Sequence, residues 1–140
     1  MSYLLDTNVI SELRKRTPNH AVTTWFDATP SSGLFLSCLT IGEIRCCIER
    51  LRRKDDAQAL AIEHWLTGLR TIYRDRITAI DADITEVWGR LNVTQQLPVV
   101  DGLLAATALS RDWTLVTRNT ADFAHCGVCL LNPWDGATAR

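Results

Sequence analysis

An α/β/α sandwich built on a mainly parallel sheet of about five strands is the fold this sequence predicts, as one domain over residues 1–140. Three observations lead there. Short apolar runs such as "YLLD", "LFLSCL" and "TLVT" alternate with longer segments whose apolar residues recur at helical spacing. Strands that alternate with helices form parallel sheets covered on both faces. A 140-residue chain with 46% hydrophobic and 22% charged side chains is long enough for one proper core and has ordinary globular composition.

The elements follow in order. "YLLD" at 3–6 reads as a first strand running into Asp6, with a helix near 8–16 behind it. Pro18 closes that region, and "HAVTTWFDAT" from His20 carries a second helical pattern. Pro30-Ser31-Ser32-Gly33 is a turn, and 34–39 a second strand. "TIGEIRCCIERLRR" opens a long helix with Ile41, Ile44, Ile48 and Leu51 at three- and four-residue steps. The polar break at Lys54-Asp55-Asp56 separates it from another helix over about 57–72. "RITAID" at 76–81 is a short strand, 83–95 a helix, and Asp101 to Leu109 helical in composition. Strands at 114–117 and 128–131 complete the sheet.

Bulk properties narrow the function. The net charge is −1, so no global basic field draws the chain to nucleic acid. Thirteen of the fifteen cations are arginines, whose planar fork suits phosphate oxygens. The clusters Arg14-Lys15-Arg16 and Arg50-Leu51-Arg52-Arg53-Lys54 are therefore either phosphate contacts or solvated helix faces. No apolar run approaches the roughly 20 residues that span a bilayer, and no signal peptide is visible before Tyr3. The expectation is a cytoplasmic protein with no membrane partner. Five cysteines leave one unpaired in any complete disulfide scheme, which argues against a secreted framework. Cys126 and Cys129 are expected to be reduced thiols, because residues three apart on a strand point to opposite faces.

Four acids occupy equivalent places. Asp6 ends the first strand, and Glu43 lies in the first turn of the helix after the second. Asp101 follows "LPVV", and Asp122 lies in the loop beyond "TLVT". Each has an ordinary structural explanation. Asp6 and Asp101 make good N-caps, Thr40-Ile41-Gly42-Glu43 fits a capping box, and Asp122 suits a turn. Together they have a common purpose available. Strand C-termini and helix N-termini of an open parallel sheet face one side, so the four can converge on one crevice. Converged carboxylates repel unless a cation neutralises them, and an all-oxygen set without His suits Mg²⁺ or Mn²⁺. That composition reads as a divalent-metal phosphodiester site.

"LLDTNVISEL", "LTIGEIRCCIERL", "LPVVDGLLAATAL" and "LVTRNTADF", in that order and followed by "NPW", resemble the PIN-domain nucleases. Within these they resemble the VapC-type toxins of toxin–antitoxin pairs, near the FitB-like branch. The resemblance covers nearly the whole chain. It implies the invariant family acids at Asp6, Glu43 and Asp101, and a more variable fourth at Asp122. It also implies supporting polar residues at Asn8, Thr117 and Asn119. It further implies an endoribonuclease using Mg²⁺, with Mn²⁺ an alternative, that leaves 5′-phosphate and 3′-hydroxyl ends. As partners it implies an RNA substrate, a cognate antitoxin and a homodimer. Arg14 and Arg118 are candidates to steer the RNA backbone, and His20, His64 and His125 are expected to be structural. Trp25, Phe26, Trp65 and Trp88 are expected to serve mainly as core packing, with a dimer or antitoxin surface as the alternative. Two other readings share these features: a PIN-fold nuclease without an antitoxin, and a phospho-receiver domain. The receiver needs a Lys ending a late strand, whereas Lys15 and Lys54 lie elsewhere.

Overall fold

In the computed structural model, which describes residues 1–94 and 96–136, five short strands form one parallel sheet. They are β1 (Tyr3–Leu5), β2 (Leu34–Ser37), β3 (Ile77–Thr78), β4 (Thr114–Val116) and β5 (Leu130–Leu131). Their order is β3-β2-β1-β4-β5, and each neighbouring pair is parallel. Three helix pairs make the crossovers: α1 (Thr7–Arg14) with α2 (His20–Ala28), α3 (Cys38–Arg52) with α4 (Asp56–Ile72), and α5 (Ala82–Thr94) with α6 (Val99–Arg111). A phospho-receiver sheet runs 2-1-3-4-5, so this order sets that reading aside.

Consecutive strand residues point to opposite faces, and here both faces are apolar. Leu5, Leu34, Leu36 and Val116 enter one core with Val9, Ile10, Ile44, Ile48 and Leu66 from the first four helices. Leu4 and Leu115 enter the other with Leu104, Ala105, Ala108 and Phe123. Leu4, Leu5 and Leu115 are fully buried, each burial contributing about 1.5–3 kcal/mol. The central strand is thus clamped from both sides, which fixes where its last residue can point. Four of the five tryptophans belong to this packing. Trp25, Trp65 and Trp134 lie against the first core, while Trp113 stacks on Phe35 at 4.2 Å between ring centroids.

The helix starts explain where sequence expectations shift. Ser37 caps α3 by accepting from Leu39 N at 3.0 Å, so the second strand ends there rather than at residue 39. The expected capping box at Thr40 is therefore inside the helix, and Glu43 stands in its second turn. Pro98, whose missing N–H costs nothing at a helix start, precedes α6, so Asp101 is a first-turn residue rather than the cap. The third strand shrinks to two residues and the first helix stops at Arg14. Gly127, at φ +77°, turns the chain before β5, which shortens the last expected strand to two residues. Position 95, the end of one expected helix, lies outside the described residues.

Two glycines on helices have opposite surroundings. A Cβ on Gly102 of α6 would stand 3.0 Å from Trp88 Nε1 of α5, while one on Gly68 of α4 meets nothing within 4 Å. Alanine gains up to about 1 kcal/mol over glycine inside a helix, and overpacking costs about 1–3 kcal/mol. Gly68→Ala is expected to raise unfolding stability by up to about 1 kcal/mol, and Gly102→Ala to lower it by about 1 kcal/mol. Urea unfolding of the two variants beside the parent checks the opposite signs.

Candidate active site

A sheet ordered β3-β2-β1-β4-β5 reverses its winding between β1 and β4, and crevices of open α/β sheets lie at that reversal beyond the strand C-termini. Asp6 follows β1 directly and Thr117 follows β4 directly. Their side chains meet across the reversal: Thr117 Oγ1 donates to Asp6 Oδ2 at 2.8 Å. Thr7 N donates to Asp6 Oδ1 at 2.7 Å, so Asp6 caps α1 as well. The one carboxylate thus serves its own helix and the contact across the reversal together.

Asn8 locks the arrangement. Its Nδ2 reaches Thr117 Oγ1 at 3.3 Å and Asp6 Oδ2 at 3.4 Å, and its Oδ1 accepts from Arg118 N at 3.3 Å. Asn119 contributes its backbone N–H to Thr117 Oγ1 at 3.1 Å. On the other flank, Thr7 Oγ1 donates to Glu43 Oε1 and lies 3.3 Å from the buried Thr40 Oγ1. Thr7 and Thr40 are the supporting residues that sequence reasoning missed. Their signal was weak, because a Thr after an Asp and a Thr near a helix start both read as ordinary caps. Glu43 and Asp122 are exposed, Asp101 half-buried and Asp6 buried, so the acids line a slope from core to solvent.

Charge ties the four together. Burial raises the Asp6 carboxyl above its ordinary range, more than the Thr117 and Thr7 donors lower it, and the charges of Asp101 and Glu43 add to the rise. Burial also raises Asp101, followed by the charges of Glu43 and Asp122. A cation held beside them would lower both carboxyls again. Among the described residues, no three His, Cys, Asp or Glu side chains are gathered closely enough to grip one ion. Oxygen donors in so open an array fit an ion that keeps several waters and binds one or two carboxylates directly, which is Mg²⁺ behaviour.

Other candidates fall away from this crevice. Arg50, Arg53 and Lys54 lie at the far end of α3, roughly 10–15 Å along its axis from Glu43. Arg52 is engaged by Glu49 and Glu63 at 3.1 and 3.2 Å. Arg14 covers the Trp65 ring, 5.7 Å from its centroid. All five cysteines are free thiols, with Cys126 buried and Cys129 exposed. His20 lines an apolar cleft of about 970 Å³ at the opposite end of the sheet, with Tyr3, Trp25 and Leu130, and none of the four acids reaches it. Among the described residues, no helix is long and apolar enough to cross a membrane.

Comparison with known proteins agrees with this geometry. Residues 3–127 match the PIN domain family. The chain is 32% identical to the VapC ribonuclease Y4jK of Sinorhizobium fredii over 142 residues, covering 96% of this chain and 99% of that protein. It is 29% identical to toxin FitB of Neisseria gonorrhoeae, covering 94% of this chain and 97% of that one. The crystal structure of FitAcB from Neisseria gonorrhoeae superposes with a TM-score of 0.87 at 28% identity, covering 94% of this chain and 98% of that chain. With the reversal of the sheet, its bonded Asp6 and the coupled acids all in place, the chain belongs to the PIN-domain family, among its VapC and FitB toxin relatives.

Proposed function

We propose that this chain is a divalent-metal-dependent endoribonuclease, the toxin of a toxin–antitoxin pair that stops translation by cutting RNA until a cognate antitoxin neutralises it. The observation that carries the reading is the placement of Asp6 at the reversal of the sheet, bonded to Thr117 across β1 and β4, with Glu43 tied beside it through Thr7. The printed names of the relatives, a VapC ribonuclease and a toxin, support the same class. A homodimer, an antitoxin and an RNA substrate complete the proposal.

Asp6 and Asp101 would hold the metal, Mg²⁺ or Mn²⁺, with Glu43 and Asp122 acting directly or through water. When bound, such an ion lowers the pKa of water and offsets charge on phosphate oxygens. The chain's own part is orientation. Thr117 and Asn8 fix the Asp6 oxygens, and Thr7 fixes Glu43, so the carboxylates need no rearrangement when substrate arrives. Among the described residues, no histidine is hydrogen-bonded to any of the four acids, and His20 lies near Thr24 instead. The products are expected to carry 5′-phosphate and 3′-hydroxyl ends.

Purified, antitoxin-free chain incubated with mixed structured RNAs and Mg²⁺ or Mn²⁺ tests this directly. Cleavage is expected to stop with EDTA and to fall by about a hundredfold or more with Asp6→Asn, the scale of losing one preorganised charge-stabilising group. Cleavage that survives both treatments sinks the metal-site reading.

The raised carboxyls give a second test. Asp6 and Asp101 keep their protons to higher pH in the folded chain than in the unfolded one. The metal-free fold is thus favoured below the ordinary carboxylate range and loses stability as pH rises through the raised values. Asp101→Asn in EDTA is expected to melt at a higher temperature than the parent at pH 7, with the gap closing toward pH 4. Mg²⁺ is expected to stabilise the parent and not the variant. Thermal melts across pH, with and without the ion, check both directions.

A further inference from the structure

The acid cluster repels the very polyanion it is proposed to cut, so some cation of the chain has to meet the RNA backbone beside it. Arg118 has its backbone in that place. It follows Thr117, the Asp6 donor, and its own N–H is held by Asn8, which also bonds Asp6. Its carbonyl accepts from Asn132 Nδ2 at 3.4 Å, and Asn132 Oδ1 accepts from Trp134 N at 2.9 Å. The closing Asn132-Pro133-Trp134 is thereby built as a platform. The Arg118 guanidinium lies over the Trp134 ring, 5.1 Å from its centroid.

The side chain is exposed, so beside the ring its N–H groups stay available to phosphate oxygens. No described carboxylate competes for them. Among the described residues, no carboxylate lies within salt-bridge distance of Arg118, whereas Arg45, Arg52, Arg90 and Arg111 are each paired. Even Glu12, which feels the Arg118 charge, spends its oxygens on Lys15 and the Asn19 N–H. An arginine free to reach Asp122 would instead cancel the site.

We propose that Arg118, laid on Trp134 at the rim of the acid cluster, is a phosphate contact for single-stranded RNA next to the bond that is cut. The inference rests on the ribonuclease reading and adds the residue that binds the substrate backbone. A backbone contact carries no sequence information, so its loss weakens every RNA alike.

The test uses a fluorescein-labelled pool of random single-stranded 20-mer RNA. Binding is followed by anisotropy from 50 to 250 mM KCl, in an Asp101→Asn chain that relieves repulsion and does not cut. Adding Arg118→Ala is expected to weaken binding roughly tenfold, as for one charge-assisted contact, and to flatten the plot of log K against log [KCl] by about 0.7. Arg118→Lys is expected to keep the salt slope. Equal affinity and slope in all three chains, or no binding of the pool by the Asp101→Asn chain, overturns the proposal. Wild-type cleavage with an unchanged slope overturns the Arg118 contact alone, and binding through Arg118 without any metal-dependent cleavage overturns the nuclease reading alone. Circular dichroism confirms that each variant is folded.

Discussion

A carboxylate at the end of a buried strand needs donors, and Asp6 takes them from two directions. The backbone of α1 supplies one, and Thr117, 111 positions further along, supplies the other. Because that second bond crosses from β1 to β4, it is available only where the sheet reverses its winding. The same bond that makes the burial of Asp6 tolerable also aims its oxygens. Asn8, Asn119 and the Arg118 backbone then arrange themselves around Thr117, so the whole rim of the crevice is referenced to this one contact.

The sheet divides the labour. Helices α1 to α4 pack on one face and carry Thr7, Asn8, Thr40 and Glu43; α6 and the segment after β4 pack on the other and carry Asp101 and Asp122. Neither face holds the complete set. Burial raises the carboxyls of Asp6 and Asp101, and the acid charges that add to the rise come from both faces, held together by the apolar residues of the central strands.

Much of this was legible in the chain itself. The alternation of apolar runs with helical periods gave the layer architecture, and strand ends followed by acids pointed to the crevice. The boundaries were less legible for a local reason. Ser37, Pro98 and Gly127 act through single caps or turns, and a cap at Ser37, three residues before the expected Thr40, converts two expected strand residues into helix. Thr7 and Thr40 escaped because their meaning is tertiary: they matter through Glu43, which stands 36 positions from Thr7. Arg118 was visible as a candidate, but only its tertiary setting, bonded to Asn8 and set over Trp134, distinguishes it from other surface arginines.

The long reach of the Thr117 bond bears on how the chain is made. Synthesis runs from the N-terminus, so Asp6 and Glu43 leave the ribosome well before their counterparts on the other face. Until β4 has emerged and slotted beside β1, Asp6 lacks its Thr117 donor, and Asp122 and the Trp134 platform come later still. A nascent chain of this design carries its acids unassembled through most of its translation. The ribosome that makes it faces a finished site only once nearly the whole sequence is out.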